Sequence, residues 1–186
     1  IKQLLPGHYI EIHNGKIEIG RYWDINYDID FNHSKKYFTE KLEEKLLDSM
    51  ELHCRSDVPL GAYVSGGVDS SLLYSLSSNY SSSNRKGFHG RYLEYDGYDE
   101  SKYADLITSK VGGEIHYIDI KASDFIKHIN DVIYHLDYPV AGPGSFSQFM
   151  VSKLASSQNK VVIGGQGGDE LFGGYARYLC LLYTSD

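Results

Sequence analysis

Apolar and polar positions alternate near the start of the chain, and the alternation is interrupted once. Residues 9–19 alternate on both sides of Asn14-Gly15, and both residues of that pair accept positive φ. The pattern predicts a β-hairpin with a type I′ turn. Residues 21–32 are polar and aromatic with no clear period. We interpret them as a linker, with a helix entry at Asn32-His33-Ser34.

From residue 35 onward, helical periods are separated by short apolar runs. Apolar residues recurring every four positions predict a helix over 35–54, and Leu60–Val64 is suited to a buried parallel strand. Further strands are predicted at 86–93, 114–120 and 161–163, and further helices at 70–78, 99–112, 123–136 and 144–156. Ser123 is the expected cap of the helix that begins there, and Gly112 the expected stop of the one before it. The alternation predicts an α/β domain with a mostly parallel sheet.

The amino-acid composition mainly excludes certain classes of protein and of partner. The chain has 186 residues, of which 41% are hydrophobic and 23% charged, as in a globular protein. It carries 18 basic and 25 acidic residues, a net charge of −7, so we expect no nucleic-acid partner. No apolar run approaches the roughly 18–20 residues that span a bilayer, and no signal-peptide pattern opens the chain. We therefore expect no membrane partner and a cytoplasmic location. Two cysteines, Cys54 and Cys180, are too few and too far apart for a disulfide framework or a metal site.

A glycine turn follows the strand at Leu60–Val64 and opens the next helix. Ser65–Ser71 reads Ser-Gly-Gly-Val-Asp-Ser-Ser. Gly66 and Gly67 allow backbone N–H groups to approach a polyanion, and the helix N-terminus adds donors and partial positive charge. Asp69 suits such a site when Mg²⁺ lies between its carboxylate and phosphate oxygens. A plain Gly-Gly turn between a strand and a helix is the alternative.

A second glycine-rich loop follows the apolar strand at 161–163. The segment 164–169 reads Gly-Gly-Gln-Gly-Gly-Asp, a glycine density that usually marks close approach of backbone to a ligand. Asp169 is a second candidate Mg²⁺ ligand. Because loops at the carboxyl ends of parallel strands can meet at one crevice, we expect both motifs to form one site. A flexible loop with an acidic helix start is the alternative.

Together these motifs resemble a known family. Ser65–Ser71 matches the pyrophosphate loop (PP-loop) of the adenine-nucleotide α-hydrolases, and residues 167–175 look like the synthetase domain of glutamine-dependent asparagine synthetases. Leu5-Pro6-Gly7-His8 and Tyr22-Trp23 are similar to that family's junction between its glutaminase and synthetase domains. The resemblance implies the end of a glutaminase domain over 1–31 and part of a PP-loop ATP-binding domain over 32–179.

The resemblance also implies a two-step reaction. ATP would bind with its pyrophosphate in the first loop, and Asp69 and Asp169 would hold Mg²⁺ on it. The side-chain carboxylate of aspartate would attack the α-phosphorus to give β-aspartyl-AMP and pyrophosphate, and glutamine-derived ammonia would then give asparagine and AMP. The implied catalytic residues are Asp69, Asp169 and Gln166. The implied nucleotide-binding residues are Tyr63, Val64, Ser65, Gly66, Gly67, Asp69, Ser70, Ser71, Gly90, Gly164, Gly165 and Gly168.

Gln166 departs from the family pattern, in which better-known members carry Glu. Glutamine cannot act as a general base, so another group or the substrate must take that role, or Gln166 binds an amide or carboxylate by hydrogen bonds. The carboxylate substrate therefore stays open. A sibling amidotransferase acting on another carboxylate and a non-catalytic nucleotide-binding module are the alternatives. The acidic balance argues against a tRNA-modifying enzyme with the same loop.

The two ends of the sequence carry expectations of their own. The chain begins with Ile1 inside structured-looking sequence, and Cys180–Asp186 resembles the translation of a sequencing adapter. We expect a fragment with read-through at its end, inactive by itself. The expected macromolecular partners are the glutaminase domain of the same chain and a second copy in a homodimer.

Overall fold

A computed structural model describes residues 2–80, 85–94, 97–137, 144–176 and 178. The chain divides into two compact units, residues 1–42 and 43–186. The expected read-through at 180–186 lies outside the described residues. The boundary expected at residue 31 stays a prediction.

The first unit contains the expected hairpin. Strand β1 (His8–His13) pairs antiparallel with β2 (Lys16–Arg21), and the pairing places four isoleucines on one face. Asn14 and Gly15 have φ of 49° and 75°. Both central residues of a type I′ turn require positive φ, so the predicted turn is confirmed.

Helix α1 (Lys35–His53) begins where the sequence predicts and ends one residue earlier. Ser34 accepts a hydrogen bond from the Tyr37 backbone N–H through its Oγ at 3.3 Å, and so serves as the N-cap. The apolar stripe of α1 is buried only toward the C-terminal end of the helix. Phe38 is 44% exposed, whereas Met50 is 3% exposed.

The second unit is built on a four-stranded parallel sheet. Its strands are β3 (Leu60–Tyr63), β4 (Lys86–Arg91), β5 (Glu114–Asp119) and β6 (Val161–Ile163). They lie in the order β5-β4-β3-β6. The chain proceeds outward from β3 through β4 and β5, and β6 then pairs with the other edge of β3. The strand order therefore reverses between β3 and β6, and open α/β sheets bind ligands beyond the carboxyl ends of the strands at such a point.

In the described part of the second unit, five helices accompany the strands. They are α2 (Val68–Ser78), α3 (Ser101–Val111), α4 (Ala122–Leu136), α5 (Gly144–Ser156) and α6 (Gly168–Phe172). Gly112 ends α3 with a left-handed φ of 66°, as expected. The expectation that Ser123 caps α4 is wrong. Lys121 is the N-cap residue, and its backbone N–H donates to the Asp124 carboxylate at 3.0 Å, so the acidic side chain supplies the capping contact. None of the described helices is long and apolar enough to cross a lipid bilayer.

Two hydrophobic clusters cover the two faces of the sheet. The cluster under α2 and α3 contains Ala62, Val64, Tyr74 and Ala104, and the cluster under α4 and α5 contains Ile120, Val132, Phe146 and Met150. Ile115 packs on the first cluster and Ile118 on the second. Side chains of one strand alternate between faces, so these two residues assign the clusters to opposite sides. The result is the predicted α/β architecture, with helices on both faces of the sheet.

Gly113 occupies a place where a side chain would strike the first cluster. A Cβ there would overlap the Tyr74 hydroxyl, which donates to the Arg85 carbonyl at 2.8 Å. We expect Gly113→Ala to lower the free energy of unfolding by about 1–3 kcal/mol, as overpacked cores do. Urea denaturation measures the loss, and the loss should be smaller in a Tyr74→Phe background. Equal stability of Gly113→Ala and the unchanged chain would contradict this packing.

Candidate functional site

Two glycine-rich loops converge beyond the carboxyl ends of β3 and β6. The first loop joins β3 to α2, and the second joins β6 to α6. A Cβ at Gly165 would lie 3.0 Å from the Ser70 backbone nitrogen and 3.2 Å from the Asp69 Cβ. This clearance is tighter than ordinary van der Waals contact, so glycine allows the second loop to lie against the first.

Asp69 and Asp169 line one cavity of about 550 Å³ between these loops. A Cβ at Gly168 would overlap Oδ2 of Asp69, so the Asp69 carboxylate lies against the residue that precedes Asp169. A Cβ at Gly174 would likewise overlap Oδ1 of Asp169. Both carboxyl-bearing side chains are half-buried. The missing side chains of two glycines therefore make room for two acidic groups in a single cleft.

Two serine hydroxyls fix the shape of the first loop. Ser70 Oγ donates to the Gly67 carbonyl at 3.2 Å, accepts from the Ser65 backbone N–H at 3.1 Å and lies 2.9 Å from Ser65 Oγ. Ser65 Oγ also accepts from the Gly67 N–H at 3.2 Å. The N-cap of α2 is Gly67, and among the described residues no side chain makes a capping hydrogen bond to the first turn. The N–H groups of that turn and its partial positive charge thus suit an anion.

A smaller cavity of about 220 Å³ lies at the ends of β3 and β4. Four residues singled out in the sequence line it: Tyr63, Val64, Ser65 and Gly90. A Cβ at Gly90 would lie 2.7 Å from Ile120 Cδ1 and 3.0 Å from Val151 Cγ2. Packing against these two side chains is therefore sufficient reason for glycine at that position.

Asp99 lies in the chain between Tyr98 and Glu100, which both line the smaller cavity. Ser101 donates to its carboxylate through Oγ at 2.7 Å and through the backbone N–H at 3.4 Å. These hydrogen bonds hold the pKa of Asp99 below its usual range. Glu100 lines the cavity, and its carbonyl oxygen would lie 2.9 Å from a Cβ at Gly66. The turn before α3 thus packs closely on the first glycine loop.

Gln166 lies exposed in the second loop. Its Nε2 donates to Oε1 of Gln148 on α5 at 3.2 Å. A Cβ at Gly164 would overlap Oε1 of Gln166, so the absent side chain leaves room for the carboxamide. The amide of Gln166 is therefore bonded on one side and lies against glycine on the other.

The structure brings most of the sequence-derived site residues together. The 550 Å³ cavity is lined by Tyr63, Ser65, Gly67, Asp69, Ser70, Gly165, Gln166 and Asp169. Gly66, Ser71, Gly164 and Gly168 belong to the same loops but do not line that cavity or the smaller one. Gln148, which the sequence did not single out, lines both. No motif marks it, because only the packing of α5 beside the sheet brings it to the cleft.

The donor set of the cleft fits Mg²⁺ shared with a ligand. Within the described ranges, no group of three or more His, Cys, Asp and Glu side chains could hold a metal ion. Asp69, Asp169 and Glu170 bring carboxylate oxygens to the cleft, and Oε1 of Glu170 accepts from the Tyr175 hydroxyl at 2.8 Å. Asp69 and Asp169 are the candidate ligands, since Mg²⁺ is commonly held by one or two carboxylates together with substrate phosphates.

Comparisons with known proteins find similarity over most of the chain. Residues 41–186 match the family model described as asparagine synthase. The glutamine-hydrolyzing asparagine synthetase 1 of Bacillus subtilis is 30% identical, over 96% of this chain and 28% of its own length. Amidase chyE of Penicillium rubens is 29% identical, over 94% of this chain and 29% of its own length. The chain thus spans less than a third of the length of either relative. A solved NH3-dependent NAD synthetase from Campylobacter jejuni covers 73% of this chain and 60% of its own, at 19% identity and a TM-score of 0.48.

Proposed function

The chain belongs to the asparagine synthase family, and we propose that its cleft binds Mg-ATP and converts a carboxylate into an acyl-adenylate, which ammonia turns into an amide. One observation carries the proposal: Asp69 and Asp169 line a single cavity between two glycine loops at the point where the strand order reverses. Like charges brought together destabilise a fold unless a cation joins them. The preferred substrate carboxylate is the side chain of aspartate, as the name of the Bacillus subtilis relative suggests.

Each part of ATP has a surface of its own in this proposal. The pyrophosphate lies at Ser65–Ser71, where the uncapped first turn of α2 supplies N–H donors. The adenine lies against the strand ends, beside Tyr63, Val64 and Gly90 in the smaller cavity. Gly164 and Gly165 follow the neighbouring strand β6, and Gly165 lines the 550 Å³ cavity. Serine hydroxyls already engaged within the loop hold it in shape before the ligand arrives.

The two carboxylates act electrostatically and form no covalent bond in the reaction. Asp69 and Asp169 together hold Mg²⁺ on the pyrophosphate. When bound, the metal neutralises charge that develops on the leaving pyrophosphate. The substrate carboxylate is itself the nucleophile, so the residues of the cleft contribute positioning and electrostatic stabilisation. Ammonia released from glutamine by a glutaminase domain, whose end corresponds to residues 1–31, then attacks the acyl carbon.

A sibling reaction on another carboxylate is the second candidate. Gln166 is uncharged where better-known asparagine synthetases carry Glu, and it offers hydrogen bonds rather than a general base. The chain is also about as similar to an amidase as to an asparagine synthetase. Gln166 is the observation that favours a carboxylate other than that of aspartate, and the similarity to the amidase is compatible with it.

Carboxylate-dependent release of AMP tests the proposal. The complete gene product is supplied with ATP, Mg²⁺ and ammonia, with aspartate or with each of a panel of other carboxylates. AMP and asparagine formed only with aspartate support the first candidate, and AMP formed with another carboxylate supports the second. Mg-ATP binding without AMP release from any carboxylate would contradict both and point to a non-catalytic nucleotide-binding module.

Gly168→Ala should weaken Mg-ATP binding without unfolding the chain. The new Cβ would overlap Oδ2 of Asp69, and this flexible side chain can move away from it. We expect the dissociation constant for Mg-ATP to rise about tenfold, the effect of about 1.4 kcal/mol. Isothermal titration measures it. In an Asp69→Asn background, the same substitution should have little further effect, because contacting residues are not additive. An equal loss in both backgrounds would show that Gly168→Ala acts elsewhere.

A further inference from the structure

Gln148 lies where three cavities meet. It lines the 220 Å³ cavity, the 550 Å³ cavity and a third cavity of about 960 Å³ along α4 and α5. Gln166 lines the second and third of these. The hydrogen bond between the two amides therefore lies on the boundary between the proposed phosphate cleft and the larger cavity.

A row of uncharged hydrogen bonds runs through Gln148. Its Nε2 donates to Ser152 Oγ at 3.2 Å, and Ser152 Oγ lies 2.8 Å from the Tyr63 hydroxyl at the end of β3. Its Oε1 accepts from Gln166 Nε2 at 3.2 Å. Rotating the Gln148 amide by half a turn would set one NH₂ group against another, because only the amide oxygen can accept. The row thus directs Nε2 of Gln166 toward α5.

Gln166 depends on this single contact. The side chain is exposed, and in the described ranges its other amide N–H and its Oε1 make no hydrogen bond to the protein. A free glutamine side chain loses substantial rotamer entropy when it is ordered. The hydrogen bond to Gln148 already restricts the rotamers of Gln166 before a substrate binds. One N–H donor of Gln166 therefore lies in a defined place at the boundary.

We infer that Gln148 is a positioning residue, and that the Gln148–Gln166 amide pair sets the affinity for the carboxylate-bearing substrate. The second half of this inference rests on the proposed function. A substrate that occupies the larger cavity must present its carboxylate to the phosphate cleft across this boundary. A neutral amide pair offers a donor there without the repulsion that an acidic residue would exert on a carboxylate.

Side-chain amide NMR of the 186-residue chain tests the positioning without any turnover. The ¹H–¹⁵N signals of the Gln166 carboxamide are identified by their loss in Gln166→Leu. In Gln148→Leu they should move to the position of a freely solvated glutamine. In Gln148→Glu they should stay shifted, because a carboxylate oxygen still accepts from Nε2. The matched control is Gln158→Leu, whose amide bonds Lys86 at the start of β4 and His116, away from the cleft.

Steady-state kinetics of the complete gene product tests the affinity. With whichever carboxylate drives AMP release, Gln148→Leu should raise the KM for that carboxylate about fivefold to tenfold, the usual effect of one lost hydrogen bond. The KM for ATP should change less than about twofold. Gln148→Leu and Gln166→Leu combined should be no worse than either alone, since the two residues act as a unit. Gln158→Leu should leave both KM values unchanged.

The outcomes separate the inference from the function on which it rests. Unmoved Gln166 signals in Gln148→Leu overturn the positioning role, whatever the activity. Moved signals with KM values that rise equally for ATP and carboxylate, or with effects that multiply in the double variant, overturn the role in substrate affinity. If no carboxylate drives AMP release in the unchanged protein, the proposed function and the affinity role fail together, and the NMR result alone decides the positioning role.

Discussion

Replacing either Asp69 or Asp169 by asparagine should lower carboxylate-dependent AMP formation by at least about 100-fold, as loss of a group that stabilises transition-state charge commonly does. Asparagine keeps the size of the side chain and removes its charge, so the pyrophosphate would lose one of its two metal-holding carboxylates. Both residues line the same cavity, so each single substitution should have a large effect. Pyrophosphate exchange and AMP release in the complete gene product measure the loss.

Stability separates loss of the metal site from loss of the fold. Without Mg²⁺, two half-buried carboxylates in one cleft repel each other, so either substitution should leave the free energy of unfolding unchanged or higher. Mg-ATP should raise the melting temperature of the unchanged chain and not that of the variants, because only a bound ligand stabilises the native state. Asp48→Asn, on the exposed side of α1, is the matched control. Near-normal AMP formation by Asp69→Asn or Asp169→Asn would show that the carboxylates are not metal ligands.

Arg85→Met should produce the largest loss of stability that we expect, about 2–4 kcal/mol, because each buried polar group left without a partner costs about 1–3 kcal/mol. Arg85 is 4% exposed, and its guanidinium donates to the Leu60 carbonyl at 3.0 Å and to the Ser77 carbonyl at 2.8 Å. It therefore connects the start of β3 with the last turn of α2, where a cation also favours the helix dipole. Methionine fills similar space but leaves both carbonyls without this donor. Urea denaturation measures the change.

Two further arginine variants show whether the charge or the geometry matters. Arg85→Lys keeps the charge but has one nitrogen in place of the two that bond Leu60 and Ser77, so it should lie between Arg85→Met and the unchanged chain. Arg55→Met removes an exposed arginine whose contact with Glu51, at 2.8 Å, is a surface pair worth about 0.5 kcal/mol or less. If Arg85→Met lost no more stability than Arg55→Met, the buried hydrogen bonds would not support the fold.

The elements were predictable because their signals are local. The Asn14-Gly15 turn, the strand at Val161–Ile163 and the helix at Gly144–Ser156 depend on residues close together in the chain, and the structure has all three at the expected positions. The α4 cap was not predictable from the preference for serine alone. Asp124 accepts from the N-cap N–H, and such a carboxylate also favours the helix dipole.

The candidate site likewise has features that local sequence signals predict and features that they do not. Both glycine loops and both carboxylates could be found in the sequence, because dense glycines beside an acidic residue have few other uses. The family resemblance also implies nucleotide-binding roles for Ser70 and Gly90, and these roles stay predictions. In the structure Ser70 braces its own loop, and Gly90 clears the side chain of Ile120. No short sequence pattern shows which side chains lie close enough in space to make these contacts.

The sequence by itself determined the α/β class, the order of strands and helices after residue 60, and the two loops with Asp69 and Asp169. Local periodicity and turn chemistry act over a few residues, so both can be recognised in a single amino-acid sequence. Only the tertiary structure decided that β6 pairs with β3 and thereby brings the two loops to one cleft. Only α5 packing on the sheet brought Gln148 to Gln166, which lies 18 positions away in the chain. Such long-range contacts depend on how whole faces are buried against each other, and that burial belongs to the folded chain rather than to any segment of it.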